Sequence, residues 1–264
     1  MTLVWRPGIL YDADALAYME LVKAADTAAG QTGGLEQGVV DAINDFVVGC
    51  KTDGIWSAIK ASCILAGART LAGALIPLAG TPPTNNNFVS GDYNRKTGLV
   101  GDGSTKYLNS NRNNNADPQN SKHFTVWLST AGTPSSATQS FGGLFVNNEG
   151  NTNMGMFNSQ LFARNNSTNA AVNLGASTTT GLIGSSRSAS SSYVFRAGGS
   201  NTTISEASVA PVSSPSMHIF GDNVGFPVRT NARLAFYSIG ESLDLAKLDT
   251  RVSALITAIG AAIP

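Results

Sequence analysis

Between Phe88 and Ser238 the chain is a succession of short β-type segments broken by turn residues, and this density of interruptions restricts the fold more than any other feature. His123-Phe-Thr-Val-Trp-Leu128 alternates, placing Phe124, Val126 and Leu128 on one face and Trp127 on the other. Further strands are expected at 140–146, 152–157, 160–164, 180–186, 192–197, 201–205 and 217–220. Short strands at this spacing build an antiparallel sandwich rather than a parallel sheet with helical crossovers. Leu99-Val100 and Lys106-Tyr107-Leu108 flank Gly101-Asp102-Gly103, a pattern that predicts a hairpin. No repeat of 20–50 residues is evident, which argues against a solenoid or propeller.

Helical spacing occurs at both ends. Ala15, Leu16, Met19 and Val22 predict a first helix capped by Asp12 or Asp14, and Leu35, Val39, Ile43, Phe46, Val47 and Cys50 a second. Ile55, Trp56, Ile59 and Cys63 continue the spacing and predict a third, shorter helix. Thr70 to Leu78 reads as an extended segment entering the sandwich, and Thr81-Pro-Pro-Thr-Asn-Asn-Asn87 as a linker whose double proline discourages helix and strand alike. Arg233-Leu-Ala-Phe-Tyr-Ser-Ile-Gly240 alternates like a half-buried strand. It runs into a closing helix that begins near Ser242 and carries Leu245, Leu248, Val252, Leu255, Ile256 and Ile259 on one stripe. The expected organisation is a helical subdomain over 1–80, a β-sandwich over 81–240, and a C-terminal helix over 241–264 packed on one or the other.

Charge narrows the partners. Basic and acidic residues number 17 each, and charged residues are only 13% of the 264. Nucleic-acid binding rests on a basic face, and none is visible. No apolar run approaches the length of a bilayer span, and the N-terminus lacks a basic-then-apolar leader, so neither membrane insertion nor signal-directed secretion is expected. Cys50 and Cys63 lie without nearby histidines and read as buried, reduced thiols rather than zinc ligands.

Chemistry is scarce. The two histidines, His123 and His218, fall in no metal or triad motif. Glycoside hydrolysis normally needs paired carboxylates, yet Glu149 is the single acidic residue between Asp117 and Glu206. No catalytic residue, metal site or cofactor is assigned, and the chain is read as non-enzymatic. Binding has better material. Asn111, Arg112, Asn113, Asn114, Asn115 and Asp117, with Tyr93 and an outward Trp127, offer hydrogen bonds and stacking surfaces for a glycan or a protein partner. The competing reading is that the asparagines satisfy their own loop through Asx turns and that Trp127 lies beneath the helices. Asp92, Asn94 and Asp102 offer oxygens to calcium, but turn and cap roles account for them better.

Gly98-Leu-Val-Gly-Asp-Gly-Ser-Thr-Lys-Tyr-Leu108, the 123–128 strand and the strand-to-helix ending resemble the concanavalin A-like/laminin-G-like jelly roll. Gly54-Ile-Trp-Ser-Ala-Ile59, Leu71-Ala-Gly-Ala-Leu-Ile-Pro-Leu78, Phe88-Val-Ser-Gly-Asp-Tyr-Asn-Arg-Lys-Thr-Gly-Leu99 and Ala235-Phe-Tyr-Ser-Ile-Gly240 resemble a module of tailed-bacteriophage (cyanophage-like) virion proteins, over roughly residues 35–262. The resemblance implies a virion structural protein made in a host cytoplasm, as a capsid decoration or a tail fibre or tip component. The short stretch before the first helix favours a stand-alone decoration or a small tail-tip subunit. Its implied partners are other virion proteins, with host surface polysaccharide as the alternative ligand. The low charge and the apolar terminal helices add an expectation of homo-oligomers.

Overall fold

The computed structural model describes residues 11–133, 138–176, 178–211, 215–223 and 228–264. Four helices and fifteen strands alternate along them. The helices are α1 (Ala13–Ala28), α2 (Gln37–Thr52), α3 (Leu71–Ala74) and α4 (Leu245–Ala262). The strands are β1 (Ile59–Ile64), β2 (Thr84–Asn86), β3 (Tyr93–Asn94), β4 (Gly98–Val100), β5 (Tyr107–Asn113), β6 (Lys122–Thr130), β7 (Thr138–Leu144), β8 (Asn151–Phe157) and β9 (Gln160–Ser167). They continue with β10 (Gly181–Arg187), β11 (Tyr193–Ala197), β12 (Ser200–Ile204), β13 (Ser216–Ile219), β14 (Asp222–Asn223) and β15 (Arg233–Gly240).

Two largely antiparallel sheets face each other in a jelly-roll-type sandwich. The first runs β12-β11-β10-β6-β15-β4-β3, with β1 beside β4 on the same edge of β15. The second runs β2-β5-β13-β7-β8-β9, and β14 adds to β7 in parallel. Between the sheets lies a core of Phe124, Val126, Leu128, Phe141, Met154, Ile183, Met217, Ile219, Tyr237 and Ile239. A second core fills the other side of the first sheet, where Leu182, Ala235 and Phe236 meet Val39, Phe46, Leu248, Val252 and Leu255. The architecture is therefore three layers: helices, first sheet, second sheet.

β15 shows how the middle layer is made. It is buried along nearly its whole length, not half-buried, because it has helices on one side and the opposite sheet on the other. Its pairing with β6 slips around Ala235, a bulge that lets Ala235 and Phe236 both face the helices while Leu234, Tyr237 and Ile239 face the sandwich core. Phe236 meets Phe46 of α2 edge-on, with centroids 5.7 Å apart. α4 packs against α2 and β10, so the closing helix touches both the helical layer and the sandwich.

Several expectations need correction. Within 81–87, expected to be a linker, Thr84–Asn86 is strand β2 and pairs with β5, since past the two prolines each residue keeps its N–H. Trp56–Ala58 forms only a single 3-10 turn, and Ile59–Ile64 is a strand rather than helix. Its helical spacing is overridden by antiparallel pairing with β15, which places Cys63 opposite Tyr237 and Ile64 opposite Phe236. Thr70–Leu78 is not extended throughout. Thr70 Oγ1 accepts the Gly73 N–H at 3.1 Å and caps the short α3. The N-cap of α4 is Asp244, which accepts the Ala246 and Lys247 N–H groups, while Ser242 bonds Ser121 instead.

The expected hairpin at 98–108 is absent. β4 joins the first sheet and β5 the second, so the turn between them is the chain crossing from one sheet to the other. Asp102 makes the crossing self-sufficient. Its carboxylate accepts the N–H groups of Ser104, Thr105 and Lys106 and the Thr105 hydroxyl. Partial burial works against the charge, but these donors outweigh it and hold the Asp102 carboxyl well below its usual range. Gly98, at φ +95°, is needed where β4 meets β15, because a Cβ there would lie 2.0 Å from the Leu234 oxygen.

The thiols of Cys50 and Cys63 are free and buried, one in each core, and burial pushes each up to about 12. Among the described residues no helix is long and apolar enough to cross a membrane.

Candidate functional site

The outward side of the second sheet carries the most distinctive chemistry. Along β9, Leu161 and Ala163 face the core, so the alternation of an extended strand turns Phe162 and Arg164 the other way. On β8, Met154 points inward and Asn153, directly opposite Arg164 in register, points outward. β14 brings Asp222 alongside β7. These groups, with Phe145, Phe157, Ala170, Val172 and Val228, enclose a hollow of about 330 Å³.

Its polar groups form one connected line. Arg164 Nη1 donates to Asn153 Oδ1 at 3.3 Å, and Asn153 Nδ2 donates to Asp222 Oδ2 at 3.0 Å. Ser140 Oγ donates to Asp222 Oδ1 at 2.5 Å. Asp222 is 5% exposed, and among the described residues no cation lies within ion-pair distance of it. Burial pushes its carboxyl up to about 6, against the pull of the Ser140 and Asn153 hydrogen bonds and of Arg164 and Arg229.

The walls are apolar and aromatic. The Arg164 guanidinium lies over Phe145 at 4.7 Å and over Phe162 at 5.8 Å. Phe157 and Val172, 45% and 48% exposed, are among the few large apolar side chains left open to solvent. A neighbouring stack continues the theme: Arg229 sits 4.3 Å over Tyr107, which stacks on His218 at 4.3 Å. Arg229 Nη1 also donates to the Asp222 carbonyl at 2.5 Å, linking the stack to the hollow. Burial, then the nearby Arg229, pushes His218 down to about 4, so its ring is neutral at neutral pH. A concave apolar surface with a few convergent polar groups is the general form of a small-molecule site.

No protein-family model matches the chain, and no curated protein matches it. Solved structures do. A Trypanosoma rangeli sialidase in complex with sialic acid superposes over 76% of this chain and 33% of its own, with TM-score 0.51 and 11% identity. The receptor binding domain of botulinum neurotoxin C/D mosaic serotype superposes over 75% of this chain and 51% of its own, with TM-score 0.50 and 12% identity. The chain thus spans about a third to a half of the length of these structures. At such identities the likeness is one of fold.

The residues singled out from the sequence do not converge on one surface. Trp127 lies on the first sheet's other face, partly buried against the helical core, so it is covered rather than outward. Tyr93 packs there too and donates to the Ala68 carbonyl at 2.8 Å. In the asparagine loop, Asn114 is buried and donates to the Gly150 carbonyl. Asp117 is buried and takes Arg112 in a two-pronged pair, with Nε–Oδ2 at 3.0 Å and Nη2–Oδ1 at 2.5 Å. Asn111, at φ 55°, donates to the Pro82 carbonyl, while Asn113 and Asn115 are exposed. Of the oxygens weighed for calcium, Asp92 pairs with Lys106 and caps Val89, and Asn94 accepts from Lys96 and Thr97.

Arg164, Asn153, Asp222, Phe145, Phe157 and Phe162 escaped the sequence reading. One signal was present. In Leu161-Phe-Ala-Arg164 the alternation puts a phenylalanine and an arginine on the face opposite Leu161 and Ala163.

Proposed function

We propose that this chain is a non-enzymatic recognition module that binds a glycan in the hollow on the outward face of β7, β8 and β9. The observation that carries the reading is the meeting of exposed aromatic and aliphatic walls with an Arg164–Asn153–Asp222 line of donors and acceptors. A sugar ring has the complementary make-up: apolar C–H patches for the exposed Phe157 and Val172, with the buried Phe162 completing the lining, and hydroxyls for the polar line. The solved structures of like shape include a sialidase carrying sialic acid and a toxin receptor-binding domain; that likeness is an analogy of fold, and the residues make the argument.

Binding is favoured over catalysis by the lining. Among the described residues it contains one carboxylate, Asp222, and no tyrosine or histidine. Hydrolysis with paired carboxylates needs a second acid at close range. The test is a glycan panel titrated against the protein and its Phe162→Ala and Asn153→Ala variants. Specific binding weakened about tenfold by either change supports the reading. Binding that neither change affects, or turnover of any glycan, removes it.

The virion setting is a separate element of the proposal, supported by the phage-like phrases at 54–59, 71–78, 88–99 and 235–240. There the module would be displayed on the particle surface and held by contacts with other virion proteins and with its own copies. Mass spectrometry of purified particles tests this: a virion lacking the chain ends that element without touching the glycan site.

A further inference from the structure

We propose that the hollow takes an acidic sugar, with the ligand's carboxylate on the free edge of Arg164 and Asp222 setting how binding varies with pH. The inference rests on the carbohydrate reading above and names the ligand class of the same site.

Most arginines elsewhere in the fold are matched to a carboxylate or to several carbonyls. Arg69 and Arg95 hold Glu36, Arg112 holds Asp117, Arg196 holds Asp249, and Arg251 holds Asp53. Arg187 is fully buried and donates to five backbone carbonyls. Arg164 has neither kind of satisfaction. Its Nε and Nη1 make hydrogen bonds of 3.2 and 3.3 Å to Thr168 and Asn153, and Nη2 has no partner among the described residues. Among the described residues no carboxylate lies within 4.0 Å of it. A guanidinium packed over two phenylalanine rings has lost part of its hydration and has no carboxylate in direct contact in return, Asp222 acting on it only at longer range. A ligand carboxylate supplies that counter-ion through charge-assisted hydrogen bonds, and the ring beyond it meets Phe157 and Val172.

Asp222 stands one hydrogen-bonded residue away, through Asn153. Its charge opposes a second carboxylate in the hollow, and its neutral form does not. The groups facing it are Arg164 from β9, His218 from β13 and Arg229 from the segment after β14, with Tyr107 of β5 beneath Arg229; β7 and β8 face it with the uncharged Ser140 and Asn153. Both arginines stay charged, and His218 titrates at about 4. Asp222, pushed up by burial to about 6, is then the facing group that changes charge between mildly acid and neutral pH. A sugar carboxylate, with a pKa near ~3.5 like other α-substituted acids, stays ionised across that range. Affinity therefore rises as pH falls through Asp222's titration.

The test is calorimetric titration of 3′-sialyllactose and trigalacturonate, against lactose and maltotriose, at about pH 5 and about pH 7.5. The expected result is an acidic probe bound about tenfold more tightly than the neutral ones, with a further gain of about tenfold at the lower pH. Arg164→Gln erases the preference for the acidic probe, Arg164→Lys keeps part of it, and Asp222→Asn gives one affinity at both pH values. The NMR signal of the Arg164 Nε–H should shift on titration with the acidic probe, a readout that needs no variant. Neutral probes bound as well as acidic ones, or a preference that survives Arg164→Gln, overturn this inference and leave the glycan reading standing. No binding of any of the four probes overturns both.

Discussion

Three buried ionisable side chains hold the interior of the sandwich in different ways. Arg187 is the simplest. Its five acceptors, the carbonyls of Asn165, Ala189, Ser190, Ser192 and Glu206, tie the 188–192 loop and the strand end near Glu206 to β9. Arg187→Ala should lower stability by about 3 kcal/mol in urea unfolding. Arg187→Lys should not rescue it, because an ammonium cannot reach acceptors spread around a planar fork. His123 is fully buried, with Nδ1 2.6 Å from the Glu241 oxygen and Nε2 2.7 Å from Ser238 Oγ. Burial pushes it down to about 4, so between pH ~4 and ~6.5 the unfolded chain binds the proton that the folded ring refuses. Stability therefore falls as pH drops through that window, by about 3 kcal/mol for this residue. Asp222 works in the opposite direction. Its folded carboxyl holds a proton up to about 6, above the unfolded value, so its contribution is present at low pH and lost as pH rises toward 6. Asp222→Asn should therefore steepen the acid-side loss, as measured by thermal unfolding in steps from pH ~7 to ~4.

At the scale of elements, the joint between helices and sheet depends on one acid. Asp26, on α1 and 1% exposed, accepts the N–H groups of Arg69 and Thr70 and the Thr70 hydroxyl, all within 2.9 Å. Asp26→Ala should cost about 2–4 kcal/mol, since three buried donors lose their acceptor at once, and hydrogen exchange should rise first in α3 and its flanks. The apolar stripes of α2 and α4 are legible from spacing alone, because each helix buries one face and leaves the other to water; on α1, Ala15, Met19 and Val22 are buried as expected but Leu16 is exposed and Tyr18 takes its place. β1 is not, since Ile55, Trp56, Ile59 and Cys63 satisfy helical spacing as well, and the strand's partner lies at the far end of the chain. The 98–108 segment misleads for a related reason. A turn flanked by two short strands looks the same whether the strands pair with each other or part into opposite sheets. Only the partners tell them apart: β15 and β3 for β4, and β2 and β13 for β5.

Across the whole molecule, the three layers divide the labour. One face of the first sheet is spent on the helices, which is why Trp127 and Tyr93 end up against the helical core instead of solvent. The second sheet's other face is only partly covered: Asn153 and Phe162 are buried, but Arg164 is half-buried and Phe157 and Val172 are open to solvent, and this is where a ligand can reach. The candidate site is hard to read from sequence because Asp222 joins the neighbouring strands β7, β8 and β9 from β14, far along the chain. Alternation tells which residues share a face of one strand. It does not tell which strands lie side by side. Whether this outward face is a binding surface is decided by NMR titration of the protein with an acidic oligosaccharide. The expected result is shifts concentrated at Phe145, Asn153, Phe157, Phe162, Arg164 and Asp222, lost in Phe162→Ala. Shifts confined to the asparagine loop at 111–117, or to the helices, would contradict it.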